Sequence, residues 1–294
     1  MNPEITVGVC VKNSQDTVGD TIKSIVAQDY PHNLMEVIVV DGNSQDGTLS
    51  IVKRVLSQSD LQWRICSDEG KGLGYARQSI LDQAQAKYII FIDADTTVPS
   101  YFFRRQVDFM NTRPRAAVGL GRQIRKEEKE KGWVSTAWNL CRTTQALDTR
   151  GGGRSVAICR TIAFRNVGGF DQKIKGAGED LDILERLQSN GWLRSINEEA
   201  EYIHEPEVTL KNIWTHQSWF GYGGYYLARK YHGMFHPWRN LPPGELINAI
   251  RVARRVYRST RRKIVFLILP IFIFKGTAWW VGFVRGAYRY GQPD

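Results

Sequence analysis

The chain has 294 residues and a net charge of +10 at pH 7, and four of its residues are cysteines. This length can bury a large hydrophobic core, either as one large domain or as one domain with an appendage. The cysteines lack the spacing of a zinc site or a disulfide framework, which disfavours both, and the N-terminal stretch MNPEITVGVCVKN has no basic segment that would predict a signal peptide.

The first 125 residues alternate between strand and helix patterns. Apolar runs predict four strands, at Ile5–Val11, Met35–Val40, Leu61–Cys66 and Tyr88–Ile92. Apolar residues at helical spacing predict three helices between them, at Thr17–Gln28, Thr48–Leu56 and Leu73–Gln85. A repeat of about 25–30 residues is typical of βαβ units, which form a parallel sheet with helices on both faces. No G-x-G-x-x-G follows the first strand, which disfavours a dinucleotide-binding Rossmann domain.

Polar residues follow the predicted strands directly. In sheets of this kind, ligands bind beyond the carboxyl ends of the strands. The polar residues at these ends are Asn13, Asp41, Asp68, Asp93 and Asp95. We therefore expect them to share one rim of the sheet, where they could contact a common ligand.

Asp93 and Asp95 follow a buried strand and are separated by one residue. Residues two apart on a strand point the same way, at about 6–7 Å, so both carboxylates converge on one spot. Two like charges at close range repel each other unless a cation lies between them. An acidic turn that caps the next helix is the alternative, and the shared rim favours the cation.

A second group of polar motifs lies between residues 149 and 192. Its members are TRGGGR (149–154), RTIAFRNVGGFDQ (160–172) and GAGEDLDILERLQSNGW (176–192). The last motif predicts a loop that enters a helix with a stripe of leucines on one side. Glu179 and Asp180 at the start of this helix are either N-terminal capping residues or functional acids.

The positive charge of the chain is concentrated in residues 229–263, which contain ten lysines and arginines and one glutamate. Within this segment, residues 246–258 predict a helix with Leu246, Ile250, Ala253 and Tyr257 on one side and arginines largely elsewhere. That pattern is typical of a helix lying on anionic lipid. A basic face exposed to water is the alternative.

Residues 264–284, IVFLILPIFIFKGTAWWVGFV, predict a membrane segment. As a helix they would extend about 31 Å, enough to cross one bilayer. Basic flanks and Trp279-Trp280 are typical of membrane segments. Pro270 and Lys275-Gly276 interrupt the run, so a re-entrant hairpin is one alternative and a buried core helix is another.

These patterns predict three regions. They are a catalytic domain (1–228), a basic amphipathic interfacial segment (229–263) and a transmembrane or re-entrant segment (264–290). The first region ends in an aromatic cluster that could border the path of a lipid or sugar acceptor; it comprises Trp214, Trp219, Phe220, Tyr222, Tyr225 and Tyr226. We expect the protein at the cell membrane, with its catalytic domain on the cytoplasmic face.

Five motifs, taken in order, resemble those of the inverting family 2 glycosyltransferases. They are VVDGNSQDGT (39–48), EGKGLGYARQ (69–78), FIDADTTVP (91–99), the run from GGGR to VGGFD (151–171) and GED (178–180), and they cover roughly residues 1–205. The resemblance implies the GT-A fold, an α/β architecture with a mixed sheet and helices on both faces. It also implies transfer of a sugar from a UDP- or GDP-linked donor to an acceptor, with Mn²⁺ or Mg²⁺ as cofactor. The relatives suggested by this pattern build polyprenyl-linked glycans.

The resemblance assigns roles to individual residues. Asp95 would bind the cation, with Asp93 contacting the ribose and a metal-bound water. Apart from the resemblance, His204 is a candidate third metal ligand, and a purely structural histidine is the alternative. Asp180, beside Glu179, would be the general base. The expected donor-binding residues are Cys10, Val11, Asn13, Asp41, Asp68, Lys71, Asp93 and Ala94, and the expected acceptor-binding residues are Gly153, Arg154 and Trp219.

The sequence also departs from the family pattern. The first strand ends in Cys10-Val11-Lys12-Asn13, where the family often has P-T-Y-N, so only Asn13 is kept. Processive members carry Q-x-x-R-W, whereas the nearest stretch here is QSWFG (217–221). The missing arginine and tryptophan argue against processive polymer synthesis.

The chemistry suits these residue types. A departing nucleoside diphosphate gains negative charge that a divalent cation can stabilise, and an acceptor hydroxyl needs a carboxylate to take its proton. The alternative is a haloacid-dehalogenase-type phosphatase, because Asp93, Asp95 and Thr97 also fit D-x-D-x-T with Asp93 as nucleophile. In that case Asp41 and Asp68 would have no role. We expect a lipid-linked acceptor and contacts with membrane lipids but no nucleic acid, because the basic residues adjoin an apolar segment.

Overall fold

The computed structural model describes residues 3–124, 133–134, 136, 156–204, 209–232 and 242–290. The chain divides into two compact units. The first comprises residues 1–126, 153–173 and 179–206, and the second comprises residues 127–152, 174–178 and 207–294. The helix Leu210–Lys230 belongs to the second unit by its contacts.

The first unit contains eight strands within the residues that the structure describes. They are β1 (Ile5–Val11), β2 (Met35–Asp41), β3 (Gln62–Ser67), β4 (Tyr88–Asp93), β5 (Thr96–Thr97), β6 (Ala116–Ile124), β7 (Val156–Arg160) and β8 (Leu193–His204). They form one sheet in the order β3-β2-β1-β4-β7-β6-β8-β5. Strands β1 to β4 are parallel to one another, whereas β7 is antiparallel to both of its neighbours. The expected mixed sheet is therefore confirmed.

Six helices accompany these strands. They are α1 (Val18–Val26), α2 (Thr48–Leu56), α3 (Leu73–Gln83), α4 (Phe102–Asn111), α5 (Thr161–Asn166) and α6 (Glu179–Ser189), and a 3-10 turn covers His32–Leu34. The predicted helix Thr48–Leu56 has the same bounds in the structure, and the others end within two or three residues of their predicted limits. Every element predicted for the first 93 residues is present.

The apolar strand residues supply one core on each face of the sheet, because successive side chains point to opposite faces. In β4, Tyr88, Ile90 and Ile92 belong to one core, which is filled by helices α1, α2 and α4. Ile89 and Phe91 belong to the other core, which is filled by α3, α5 and α6. The sheet is therefore covered on both sides, which leaves the ends of its strands as the place for a ligand.

The described part of the second unit contains three long helices, α7 (Leu210–Lys230), α8 (Pro242–Thr260) and α9 (Ile268–Tyr290), with a 3-10 turn at Lys263–Leu267. Helices α7 and α9 run in the same direction, and their backbones come very close to each other. A Cβ atom on Gly221 would lie 1.8 Å from the carbonyl oxygen of Trp279, and one on Gly282 would lie 1.8 Å from that of Ser218. Only glycine allows such an approach, which is common between helices in membranes.

Helix α9 is continuous through Lys275-Gly276, so the interruption on which the re-entrant alternative depended is absent. Pro270 lies in its first turn, where the missing backbone N–H costs no hydrogen bond. The Lys275 ammonium lies 3.2 Å from the Glu245 carboxylate of α8, so its charge is balanced within the protein. Among the described residues, one helical stretch, Lys263–Tyr290, is long and apolar enough to cross a membrane, and 39% of its most apolar window is buried in the protein.

Candidate active site

The ends of the parallel strands lie level with one another. Val11 of β1 pairs with Asp41 of β2, and Cys10 pairs with Asp93 of β4. Asp41 in turn pairs with Ser67, the last residue of β3. The structure thus places the acids that follow β2, β3 and β4 along one edge, as predicted.

Asp41 is almost buried and organises the loop after β2. Its carboxylate accepts hydrogen bonds from the hydroxyl (2.6 Å) and the backbone N–H (3.1 Å) of Ser44. Asn13, in the left-handed region with a φ of 46°, donates its backbone N–H to the Ser44 hydroxyl and accepts from the N–H of Gln45. The loops after β1 and β2 are therefore joined by hydrogen bonds before any ligand binds.

Asp68 is also almost buried and shapes the loop that leads into α3. Its two carboxylate oxygens accept from the backbone N–H groups of Gly70 (2.7 Å) and Gly72 (3.2 Å). Lys71 is exposed and forms an ion pair with Glu69 at 2.6 Å. In this arrangement the Asp68 carboxylate faces its own loop, whereas the Lys71 ammonium is exposed to solvent.

Val11, Ala94 and Cys10 are the other predicted donor-binding residues next to these loops. Val11 and Ala94 form hydrogen bonds here through their backbone carbonyl oxygens. The Val11 side chain lies in the core, and its carbonyl oxygen accepts from Gly42 N–H at 2.8 Å. The Ala94 carbonyl oxygen accepts from the Thr21 hydroxyl at 3.0 Å. Burial raises the pKa of the Cys10 thiol to about 12, so this group is neutral at physiological pH.

Asp95 and His204 are brought together by strand pairing. The short strand β5 is antiparallel to β8, and Thr96 pairs with His204. As a result His204 Nε2 lies 3.1 Å from Asp95 Oδ2. No group of three or more His, Cys, Asp or Glu side chains that could hold a metal occurs in the described parts of the chain.

This pair can still fit a magnesium or manganese ion. Such ions are often bound by one or two protein carboxylates, and substrate phosphates and waters complete the coordination. An oxygen and a nitrogen donor at the strand end, both partly accessible to solvent, match the protein's share of that set. The residues therefore fit a cation whose coordination is completed by substrate oxygens.

Sequence reasoning did not identify Arg77, the central cation of this site. Its Nη1 lies 2.6 Å from Glu179 Oε1, and its Nη2 lies 3.4 Å from Asp93 Oδ1. A signal was present in the sequence: Arg77 is three residues after Gly74 and four before Leu81, which places it on the inward side of α3. A charged residue on such a stripe needs a buried partner.

Glu179 and Asp180 begin α6 with different environments. Gly178, with a φ of 115°, turns the chain into this helix. Glu179 is buried, and burial raises the pKa of its carboxyl, while the nearby Arg77 charge offsets part of this rise. Asp180 is partly exposed, and its Oδ1 accepts only a local bond from Leu181 N–H among the hydrogen bonds of the described chain. The accessible acid of the pair is therefore Asp180.

The three predicted acceptor residues are Gly153, Arg154 and Trp219. Gly153 and Arg154 are outside the described residues. Trp219 lies on α7 in the second unit, where its carbonyl oxygen accepts from Ala177 N–H at 3.4 Å and its ring contacts Phe220. Its role as an acceptor residue stays a prediction.

The sequence matches the family described as Glycosyl transferase family 2 over residues 6–167, more than half of the chain. This match argues against the phosphatase alternative, in which Asp93 would be a nucleophile. One relative is the putative teichuronic acid biosynthesis glycosyltransferase TuaG of Bacillus subtilis, which is 31% identical over 38% of this chain and 43% of its own length. Another is the beta-monoglucosyldiacylglycerol synthase of Synechocystis, 26% identical over 76% of this chain and 48% of its own length. The chain thus spans about half or less of these curated relatives.

Solved structures of similar fold cover nearly the whole chain. The mannosyltransferase PcManGT from Pyrobaculum calidifontis, in complex with GDP-Man and Mn²⁺, gives a TM-score of 0.65 at 17% identity over 98% of this chain and 88% of its own. Staphylococcus aureus TarS 1-349, in complex with UDP, gives 0.54 at 18% identity over 99% and 92%. At these identities the likeness shows the fold alone, and it confirms the GT-A architecture.

Proposed function

The chain belongs to glycosyl transferase family 2, and from that premise we propose that it is a metal-dependent, inverting enzyme that moves a sugar from a nucleoside diphosphate sugar to a membrane-borne acceptor. The observation that carries the proposal is the set of acids at one edge of the sheet: Asp93 at the end of β4 with Asp95 just after it, and Glu179 and Asp180 at the start of α6. An inverting transfer needs a site for the leaving diphosphate and a base for the acceptor.

The donor side of the site comprises Asp93, Asp95 and His204. Asp95 and His204 would hold Mn²⁺ or Mg²⁺, and Asp93 would contact the ribose and a bound water. When bound, the cation stabilises the negative charge that develops on the departing diphosphate. The structures of PcManGT with GDP-Man and Mn²⁺ and of TarS with UDP-GlcNAc support a nucleotide-sugar donor here.

The acceptor side depends on Asp180. An acceptor hydroxyl is a weak nucleophile until a carboxylate takes its proton. Glu179 is buried against Arg77 and is already hydrogen-bonded, so it is poorly placed to take that proton. Asp180 is the neighbouring carboxylate that solvent can reach, which suits the general base.

The second unit supports a membrane-borne acceptor. Leu246, Ile247 and Ile250 of α8 are exposed, and so are the arginines of its C-terminal half, Arg251, Arg254, Arg255 and Arg258. Exposed apolar side chains beside several cations match a surface of anionic lipid, where each arginine contributes about 1 kcal/mol. The predicted membrane face of α8 is wrong for two of its four residues. Ala253 is buried in a cluster with Val265 and Ile268, and Tyr257 packs against the same cluster, because α9 covers this side.

We therefore propose that α8 and α9 bind the cell membrane that contains a lipid-linked acceptor, and that the catalytic unit faces the cytoplasm. A polyprenyl phosphate carrier fits this arrangement, because its phosphate would be attracted by the same arginines. A soluble donor requires no membrane, whereas a lipid-linked acceptor is available only there.

The donor half of the proposal is tested by thermal-shift binding of UDP and GDP to the full chain, with and without Mn²⁺. Transfer is tested by incubating GDP-Man or UDP-GlcNAc with lipid extract and identifying the glycosylated lipid by mass spectrometry. Mn²⁺-dependent nucleotide binding and a sugar-modified lipid are expected. If no nucleotide binds more tightly with Mn²⁺, the metal-dependent mechanism is wrong.

The membrane half is tested separately with the full chain and vesicles. We expect the protein to resist extraction by high salt and alkali and to bind vesicles that contain anionic lipid more tightly than neutral ones. Replacing Arg254, Arg255 and Arg258 by glutamine should weaken the preference for anionic vesicles, whereas replacing the exposed arginines Arg104 and Arg113 of the first unit should not. Release by salt alone would show that α9 is a core helix of a peripheral protein.

A further inference from the structure

We propose that Arg77 is a positioning residue that fixes the start of the base-carrying helix α6 relative to Asp93 on the donor side. This inference rests on the proposed function. Its observation is one guanidinium that forms ion pairs with two acids from different elements, Glu179 on α6 and Asp93 on β4. The three residues come from distant parts of the sequence and meet only in the folded chain.

The geometry of the two Arg77 contacts indicates that they fix the distance between Glu179 and Asp93. One guanidinium nitrogen lies 2.6 Å from Glu179 and the other lies 3.4 Å from Asp93. The Arg77 side chain is only 16% exposed and that of Glu179 only 3%, so water cannot easily replace either member of this ion pair. A planar guanidinium presents several donors in a rigid arrangement, which a lysine ammonium cannot reproduce.

Fixing Glu179 also determines where Asp180 lies. Successive residues of an α-helix are about 100° apart around its axis. When Glu179 is held inward by Arg77, Asp180 is turned out of that contact and toward solvent, as its partial exposure shows. Arg77 therefore acts on the base through its neighbour and needs no contact with the acceptor.

Arg77 also reduces repulsion among the acids of the site. The carboxylates of Asp93 and Glu179 both lie within 3.4 Å of its guanidinium, and Asp180 follows Glu179 directly in the chain. Without this cation, Glu179 would be a buried carboxylate with like charges nearby, an arrangement that costs much free energy unless the acid is paired. Loss of Arg77 is expected to move the first turn of α6 away from Asp93.

The chain offers a matched control in Arg186. This arginine forms an ion pair with the buried Asp182 on the same helix α6, with its Nε 3.0 Å from Asp182 Oδ2. Arg77→Met and Arg186→Met each remove one ion pair of a buried acid of α6, so both should lower the melting temperature. Only the first should affect the reaction, because the described hydrogen bonds and ion pairs of Arg186 include none of the predicted site residues.

The experiment uses the full chain with GDP-Man and UDP-GlcNAc and measures three quantities. They are the release of nucleotide from the donor, the Mn²⁺-dependent dissociation constants of GDP and UDP, and the hydrogen exchange of the amides in the first turn of α6. For Arg77→Met we expect kcat to fall by about 10–100-fold, the scale of a displacement near 1 Å. Nucleotide affinity should change by less than about threefold, and the α6 amides should exchange faster. Arg77→Lys should restore little, since one ammonium cannot bridge both acids.

A double variant tests whether Arg77 acts through Glu179, which a purely structural role of Arg77 would not require. In a Glu179→Gln background, Arg77→Met should cost less in kcat than it does in the wild-type chain, because its main partner has already been changed. Equal losses in both backgrounds would overturn the coupling through Glu179.

Two other outcomes would overturn the inference. If Arg77→Met and Arg186→Met lowered the melting temperature alike and left kcat within about twofold, Arg77 would be structural only. If Arg77→Met lost nucleotide affinity while kcat stayed high, Arg77 would be a donor ligand. These outcomes differ from failure of the proposed function, in which the wild-type chain itself would neither bind nucleotide with Mn²⁺ nor cleave a donor.

Discussion

Two pairs of aspartates lie along the same edge of the sheet, and they are held in different ways. Asp41 and Asp68 are almost buried, and their carboxylates accept hydrogen bonds from their own loops. The side chains of Asp93 and Asp95 are 42% and 34% exposed, and they lie beside Arg77 and His204. The first pair builds the loops of the site, whereas the second pair remains accessible to a ligand.

The difference shows that aspartates at one edge of a sheet can have two different functions, one structural and one in ligand binding. A buried carboxylate that accepts backbone N–H groups fixes the shape of a loop without any ligand. A partly exposed carboxylate can exchange water for a cation or a substrate group. The resemblance assigns donor contacts to both pairs, but only the loop-building pair should also stabilise the fold.

Asp95→Asn should have the largest effect on binding. Removing this charge should abolish the Mn²⁺-dependent part of nucleotide affinity, because an amide is a much weaker ligand for a hard cation. The free energy of unfolding should change by less than about 0.5 kcal/mol, since a partly exposed acid contributes little to stability. Isothermal titration of GDP and UDP with and without Mn²⁺ measures the first effect, and urea denaturation measures the second.

Asp20→Asn is the matched control, because Asp20 is an exposed acid of α1 that pairs only with Lys23 among its described salt bridges. It should behave as wild type in both measurements. If Asp95→Asn kept its Mn²⁺-dependent affinity, the cation would be held elsewhere.

Asp180→Asn should leave nucleotide affinity unchanged and lower turnover by about 10²–10⁴-fold, the range for loss of a general base. Steady-state kinetics and titration on the same preparation separate the two effects. A collapse of donor affinity would instead make Asp180 a donor residue. Transfer at a near-normal rate would point to an acceptor that is already ionised, such as a lipid monophosphate, which needs no base.

Asp68→Asn should show the opposite pattern from Asp95→Asn. The amide keeps one oxygen, so one of the two backbone N–H groups of Gly70 and Gly72 loses its acceptor. Leaving such a group unsatisfied costs about 1–3 kcal/mol in the free energy of unfolding. Urea denaturation should therefore detect a loss in Asp68→Asn and almost none in Asp95→Asn. Equal stabilities of the two variants would contradict the division between loop-building and ligand-binding acids.

Much of the fold could be predicted because it depends on local patterns. The apolar runs that end at Val11 and Ile92 identify strands, and the βαβ rhythm places their ends along one edge. Those two patterns alone are sufficient to predict that Asp41, Asp68 and Asp93 share that edge.

The parts that depend on distant pairing were harder to predict. His204 was a candidate ligand of the same cation as Asp95, but the pairing of β5 with β8 that brings them together was not predicted. Arg77 pairs with Glu179 across about 100 residues of sequence. No period in the sequence encodes either contact. The inward side of α8 was misjudged for a similar reason, because its partner α9 makes Ala253 a core residue. Lys275 left a re-entrant hairpin open as an alternative, and its pairing with Glu245 shows how a continuous α9 can hold this charge.

The smallest expected effect on stability concerns Asp46. Like Asp41 and Asp68, this acid holds loops of the site in place, and it joins the loop after β1 to the loop after β2. Its carboxylate accepts from the N–H (3.0 Å) and the hydroxyl of Thr48 and from the N–H of Gln15 (3.2 Å). These bonds, chiefly that of the Thr48 hydroxyl, lower the pKa of Asp46 below its ordinary value of 3.8. Because the folded pKa is the lower one, ionised Asp46 stabilises the fold above pH 3.8, and this contribution is lost as the pH falls through the folded pKa.

Asp46→Asn should therefore give the smallest decrease in melting temperature among the loop variants, and the decrease should depend on pH in a defined way. The difference between wild type and variant should stay constant from about pH 7 to pH 5 and shrink only below about pH 4, where the wild-type acid becomes protonated. Differential scanning calorimetry of both proteins across this range measures it, and the difference cancels the titration of all other groups. If the difference in melting temperature disappeared between pH 7 and pH 5, the group responsible would be a histidine that titrates in that range, and not Asp46. If the difference persisted unchanged at the lowest pH, packing alone would hold the loops together. The charge of the Asp46 carboxylate would then contribute nothing to their stability.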